Sequence, residues 1–262
     1  MPHMHRNRYL CAGLAIVAIL AGCDNKRNDQ TVADLPAGSD SSHQGASMVR
    51  VVNAVPSPTA LTVATDDANT FASVTFKTVT PFQPIRDNLV TFKLRPGDAS
   101  VSDTTKPLAE NHEMMSDGDR YTVVVLPAPA DDNDEGPKLR VLEEPRDAGS
   151  PGMARLRFVN AARGVKSFDV FAPGSTDAFF DNVDFGSEAG YKDFGATSAV
   201  LQVRADNGSA VLLKLPQRSF EAGKTYTIII TNKSAVGRQL EAITIEDDPM
   251  AANSAGGMGG RM

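Results

Sequence analysis

From Met48 onward the apolar residues come in short runs, rich in Val, Ile, Thr, Phe and Tyr and broken by Pro, Gly, Asn and Asp. Runs of about four to eight such residues read as β-strands, because β-branched and aromatic side chains fit a pleated surface and the breakers supply the turns. The clearest is Arg155-Leu156-Arg157-Phe158-Val159-Asn160-Ala161, which begins by alternating polar with apolar positions. After Met153 the pattern predicts strands over 154–160, 167–171, 199–205, 210–215, 225–231 and 240–245. Asp206-Asn207-Gly208-Ser209, between two of these, suits a tight hairpin, since Asn and Gly tolerate positive φ. No stretch carries the periodicity of an amphipathic helix of useful length.

The pattern occurs twice. Val51-Val52-Asn53-Ala54 matches Phe158-Val159-Asn160-Ala161, Val74-Thr75-Phe76 matches Val183-Asp184-Phe185, Phe82 meets Tyr191, and Leu94-Arg95 meets Val203-Arg204. Gly118-Asp119-Arg120-Tyr121-Thr122 then faces Gly223-Lys224-Thr225-Tyr226-Thr227. Ordered matches at a shift that stays between 105 and 109 residues indicate duplication of one unit. About seven short strands per copy predict an all-β protein built of two tandem antiparallel β-sandwich domains, with immunoglobulin-like or transthyretin-like topology left open. The first domain is expected over 48–144 and the second over 153–247. Between them, 145–152 has the prolines and glycines of a short linker, which would let the domains flex. The tail, 248–262, is rich in Ala, Gly and Met, and is expected to be disordered.

The first 22 residues have a different character. Arg6 and Arg8 precede an apolar run from Tyr9 to Gly22 that is too short for a comfortable membrane span and fits a removable signal peptide. At its end Leu20-Ala21-Gly22-Cys23 looks like a bacterial lipobox, which makes Cys23 the expected site of diacylglycerol and acyl attachment. Two or three acyl chains hold a protein on a membrane durably, at about 0.8 kcal/mol per buried methylene. In the bacterial lipoproteins this leader resembles, an aspartate directly after the modified cysteine often signals retention in the inner membrane, so Asp24 slightly favours its periplasmic face over the outer membrane. Residues 23–47, rich in Asp, Ser, Gly, Asn and Gln, would then be a flexible tether spanning about 27 Å root-mean-square.

Charge narrows the partners. The whole chain carries −6, and loss of the two leader arginines, with no acid before Asp24, makes the mature part −8. Basic residues are interleaved with acids, so nucleic acid is not an expected partner. Both cysteines lie within the first 23 residues, so the domains fold without an internal disulfide.

Few residues carry candidate chemistry. Asn53 and Asn160 sit where a strand ends, and an asparagine there can bond the following backbone and close a turn; reading a ligand is the other role open to them. Tyr121 and Tyr226 start strands three residues after a glycine, the position of a corner tyrosine whose hydroxyl bonds upstream backbone in Greek-key sandwiches. Asp131-Asp132-Asn133-Asp134-Glu135-Gly136 partly imitates a calcium loop, but Leu142 stands where a bidentate carboxylate is needed, and a solvated hairpin loop is the better reading. His112 is the one histidine inside a domain, in what reads as a polar loop. No nucleophile motif or zinc-ligand set is present, so neither catalytic residue nor cofactor nor metal is expected.

The strand ending in Val52-Asn53-Ala54 or Val159-Asn160-Ala161, together with the Gly-x-x-Tyr-Thr strand at Gly118 or Gly223, resembles domain-of-unknown-function family 4397, found in bacterial secreted proteins and lipoproteins. The resemblance covers roughly Met48 to Asp247 and implies the fold and an envelope location, but no activity and no site residues. The expectation is therefore a lipid-anchored, non-catalytic structural or interaction module of the cell envelope, bound to the membrane through Cys23 and facing an envelope protein or glycan. A small-molecule or calcium-dependent periplasmic binding protein is the alternative.

Overall fold

The computed structural model describes residues 45–66, 69–97, 106–130, 136–147, 149–206 and 208–247. The leader, Cys23, nearly all of the tether and the C-terminal tail lie outside the described residues. The first copy contributes β1 (Ser47–Asn53), β2 (Leu61–Thr65), β3 (Thr70–Val74), β4 (Gln83–Ile85), β5 (Leu89–Pro96), β6 (Ala109–Met114), β7 (Arg120–Leu126) and β8 (Lys138–Glu143). The second contributes β9 (Met153–Ala161), β10 (Ser167–Phe171), β11 (Phe180–Asp184), β12 (Glu188–Gly195), β13 (Ser198–Ala199), β14 (Gln202–Ala205), β15 (Val211–Lys214), β16 (Arg218–Ser219), β17 (Thr225–Asn232) and β18 (Leu240–Asp247). The chain is all-β among the described residues.

Each copy folds into two four-stranded sheets in the same order. In the first these are β4-β1-β7-β8 and β3-β2-β5-β6; in the second, β12-β9-β17-β18 and β11-β10-β14-β15. The immunoglobulin grouping would set the first, second, fifth and fourth strands together, which is not the grouping observed. Most pairs are antiparallel, but β1 runs parallel to β7 and β9 parallel to β17, so one sheet of each sandwich has a parallel pair at its centre. The second copy adds a short β13–β16 ribbon. It interrupts the predicted strand over 199–205: Ala199 pairs with Arg218, whereas Gln202–Ala205 pair with β10. The strands β11 and β12 escaped the sequence pattern because β12 is a half-exposed edge with polar Glu188, Lys192 and Asp193, and β11 is bent by a non-glycine residue at positive φ, Asn182.

That bend is itself duplicated. Ser73 and Asn182 have φ of 53° and 54°, and their amides donate to Thr62 Oγ1 and Asp169 Oδ1, which hold the strained backbone in place. Gly118 and Gly223 both turn the chain into the next strand at φ 79°, which explains a glycine at the head of each Gly-x-x-Tyr motif.

Three apolar clusters organise the packing. One fills the first sandwich around Val51, Phe92, Leu94 and Val123; another fills the second around Leu156, Phe158, Phe168 and Ile228. The second core also holds a run of touching aromatic rings, from Phe158 through Phe180, Phe179, Phe194 and Phe220 to Tyr226, with centroids 4.8–5.4 Å apart. The third cluster joins the copies: Val52, Ala54, Val124, Leu126 and Leu142 from the first pack with Val159, Ala161, Ile229, Ile243 and Ile245 from the second. The central strands are therefore buried on both faces, inward against their own partner sheet and outward against the other copy. This is why β7 and β17 carry consecutive apolar residues, Val123 to Leu126 and Ile228 to Ile230. Despite the prolines and glycines of 145–152, the copies do not hang free of one another.

Candidate functional site at the junction of the two sandwiches

On the outer face of the central strands, beside the shared apolar cluster, stand two arginines. Arg50 on β1 and Arg157 on β9 occupy equivalent places, and both are buried, at 4% and 2% exposure. Each guanidinium is anchored first within its own copy. Arg50 Nε donates to Thr122 Oγ1 at 2.8 Å, and Arg157 Nε to Thr227 Oγ1 at 2.9 Å. Each also lies 4.6 Å from the centroid of an aromatic ring of its own copy, Phe82 under Arg50 and Tyr191 under Arg157.

Each then reaches across the junction. Arg50 is bidentate to Asp247, with Nη1–Oδ1 at 2.8 Å and Nη2–Oδ2 at 2.5 Å, while Arg157 Nη2 donates to Glu144 Oε1 at 2.7 Å. The acids are equivalent as well. Glu143 faces Tyr121 across β7 and β8 as Glu246 faces Tyr226 across β17 and β18, and Glu144 and Asp247 come next in the chain. The result is an approximate two-fold arrangement in which each copy's arginine answers the other copy's carboxylate.

One substitution breaks the symmetry. Thr122 donates directly to Glu144, whereas the Thr227 hydroxyl lies 3.1 Å from that of Tyr191, which donates to Glu144 Oε2 at 2.9 Å. Phe82, in the equivalent place, has no hydroxyl to play that part. Arg50 Nη2 also reaches Glu144 Oε1 at 3.2 Å, so one carboxylate, 5% exposed, serves both arginines, Thr122 and Tyr191. Burial alone would raise the Glu144 carboxyl, but the Arg157 charge, the Thr122 hydroxyl and Arg50 outweigh it and hold the group below the usual range. Burial pushes the Tyr191 phenol up. Burial works against the Arg50 cation too, but the bonds and charge of Asp247 more than offset it and the arginine stays firmly charged. The polar groups answer one another inside the cluster, so its chemistry is that of a lock between the copies.

The residues singled out in the sequence lie elsewhere. Asn53 Oδ1 accepts from the Val55 amide at 2.8 Å while its Nδ2 donates to Val74 O at 2.8 Å. Asn160 does the same with the Ala162 amide at 3.0 Å and Val183 O at 2.9 Å, so each asparagine ties a strand end to the sandwich's other sheet. The Tyr121 hydroxyl accepts from the Ser116 amide, and that of Tyr226 from the Glu221 amide, both at 3.0 Å, five residues upstream. His112 sits on edge strand β6, not in a loop, with Nδ1 3.1 Å from Thr91 Oγ1. Of the calcium-like run only Gly136 lies within the described residues, and among them no group of three His, Cys, Asp or Glu could hold a metal. No helix of the described residues is long and apolar enough to cross a membrane.

Sequence reasoning missed the junction cluster. Its signal was present: the duplicated unit repeats an arginine, a threonine, an aromatic and an acid at matching places, Arg50, Thr122, Phe82 and Glu144 against Arg157, Thr227, Tyr191 and Asp247. At one end of the junction, loops of both copies also frame an open cleft. A cavity of about 520 Å³ lined by Arg163, Leu212, Val236 and Arg238 adjoins one of about 240 Å³ lined by Val55, Pro127 and Pro137, and Asn232 borders both.

No curated protein matches the chain. Among solved structures, a provisionally named cell adhesion protein from Bacteroides uniformis aligns over 78% of this chain and 99% of its own, at 10% identity and a TM-score of 0.22. Similarly named proteins from Bacteroides ovatus and Bacteroides eggerthii align over 79% of this chain and over 99% and 96% of theirs, at 9% and 7% identity and TM-scores of 0.23 and 0.20. Residues 47–171, from β1 through β10, match the model of the domain of unknown function DUF4397, and it is this family that the chain resembles.

Proposed function

We propose that the protein is a lipid-anchored component of the bacterial envelope. In this reading Cys23 carries the lipid, 24–47 form the tether, and the sandwiches over 48–144 and 153–247 work together as one non-catalytic module that holds an envelope protein or glycan. The observation that carries it is the reciprocal pairing of Arg50 with Asp247 and of Arg157 with Glu144. A buried, charge-paired junction makes two small domains a single body and sets loops from both around one cleft, an arrangement suited to presenting a surface.

Crosslinking in the native envelope followed by capture of the tagged full-length protein tests the binding reading. A partner enriched over a tagged control, and lost when Arg163 and Arg238 are both changed to alanine, supports it; equal recovery with wild type and control sinks it. Radiolabelled palmitate tests the anchor separately, since label should enter the wild type and vanish from a Cys23→Ala variant. Label that persists in the variant refutes lipidation at this cysteine.

A further inference from the structure

The two sandwiches correspond position by position, and in one region they differ systematically. Val141 faces Val123 across β7 and β8 as Thr244 faces Ile228 across β17 and β18; Leu139 faces Val125 as Ala242 faces Ile230. On the opposite sheet Thr62 pairs with Arg95 as Asp169 pairs with Arg204, so counting back along the chain sets Phe92 against Leu201 and Val90 against Ala199. At all four positions the second copy carries the smaller or less apolar side chain.

In the first copy those residues pack in the core, with Phe92 fully buried. In the second, Ala199, Leu201, Ala242 and Thr244 line an open cavity of about 310 Å³ between the sheets. A fifth exchange keeps it open and apolar. Asn111, opposite Phe92 in the first copy, reaches across to Leu139 O at 3.4 Å and ties the two sheets together. Leu215, bonded through its amide to Leu201 O, stands there instead in the second copy and can make no such tie. The cavity is about twice the size of the ~150 Å³ apolar void that takes up benzene.

Its rim carries a cation. Arg218 lines the cavity and gives Nη2 to Glu246 at 3.0 Å, while its Nε, shielded from solvent, has no partner among the described residues. An open cavity lined mainly by apolar side chains, with Gln217, Thr244 and a guanidinium among them, matches an aliphatic chain ending in an anionic head. We infer that the second sandwich binds such a chain, with the hydrocarbon between the Ala199–Leu201 segment and β18 and the head at Arg218. Free fatty acids and anionic single-chain lipids share this chemistry. The site goes beyond the envelope-module reading and does not depend on it, since it lies within one sandwich, on the face of β18 opposite the one that Ile243 and Ile245 turn to the junction.

Calorimetric titration of the mature two-domain protein with octanoate, decanoate and laurate tests it. Binding that strengthens with chain length up to a limit is expected. Restoring the first-copy residues with Ala242→Leu and Thr244→Val should weaken decanoate binding at least about tenfold, with thermal stability kept or raised because the cavity is filled. Arg218→Gln, at the rim and outside the core, should weaken it about tenfold through loss of a charged hydrogen bond. Displacement of decanoate by lysophosphatidylglycerol would place lipids among the ligands; failure to displace would confine the site to the free acid. Absence of binding for every chain length, or binding that survives the filled variant unchanged, overturns the inference. Attachment to phosphatidylglycerol vesicles without any affinity for decanoate overturns it too, because a bilayer surface does not probe a bore.

Discussion

Arg157 and Glu144 belong to different copies of the duplicated unit, yet their side chains meet at 2.7 Å with both groups almost wholly buried. Burial makes each depend on the other, because losing Glu144 leaves Arg157 only the longer ionic contact to Glu188 at 3.7 Å, and losing Arg157 leaves Glu144 with Arg50 alone in a low-dielectric site. Glu144→Gln should therefore destabilise the protein by about 3–5 kcal/mol in urea unfolding, since two buried arginines lose their shared counter-charge. Asp247→Asn should cost less, because that side chain is 20% exposed and water can take over part of its work. A loss below about 1 kcal/mol for Glu144→Gln, the range of a surface pair, would show that the junction is not the lock described.

The same carboxylate predicts an acid-labile junction. Burial would raise Glu144, but Arg157, Thr122 and Arg50 lower it further, so the folded value lies below the unfolded one. Its contribution is present above the unfolded value of about 4.3 and is lost as pH falls through the folded value. Melting temperature should fall more steeply below about pH 4 for the wild type than for Glu144→Gln. Tyr191 acts at the other extreme. Burial raises its phenol, so its contribution is full below the unfolded value of about 10 and is lost as pH rises beyond it. Tyr191→Phe should flatten the alkaline side of the stability profile, and an unchanged profile would contradict the buried hydroxyl.

Much of the fold could be read from the sequence because the informative residues act locally. Val, Ile and Tyr mark β17, proline and glycine mark the breaks, and repetition of Val-Asn-Ala and Gly-x-x-Tyr reveals the duplication. What was hidden depends on which face another element covers. The Arg155-Leu156-Arg157-Phe158 alternation looks like a strand with a wet side, and Arg155 keeps part of its side chain, 18%, in solvent, but Arg157 is covered by the first copy. Nothing local distinguishes the two arginines. Glu144 likewise reads as the last residue before a linker, and only the packing of the two outer faces makes it the centre of the junction. The hollow in the second sandwich is legible only when the copies are compared residue by residue once the ladders have set the register.

The paired asparagines should be equally costly to remove. Asn53→Ala would leave Val74 O and the Val55 amide without their partner, and Asn160→Ala would do the same to Val183 O and the Ala162 amide. Each should cost about 1–3 kcal/mol or more, given two groups left unsatisfied in buried surroundings. Substitution by aspartate should cost about as much, since it keeps the acceptor but replaces the donor with a charge. A neutral effect at either position would mean that the turn closes without the side chain.

The junction also predicts how the protein behaves when cut. If the two sandwiches were beads on a string, cleavage between them would release two halves. The third apolar cluster and the crossed ion pairs argue for the opposite, because ten buried or nearly buried side chains, five from each copy, would be exposed together on separation. A protease site placed at Ser150-Pro151 should therefore yield halves that still co-elute in gel filtration at neutral pH. Val124→Asp with Ile229→Asp puts two carboxylates into the apolar layer while leaving both inner cores intact, and should make the cut halves separate. Acidification through the lowered value of Glu144 should loosen the cut wild type in the same direction, because the carboxylate's charge is then lost. Halves that part at neutral pH without any substitution would show that the covalent link, and not the packed face, holds the copies together.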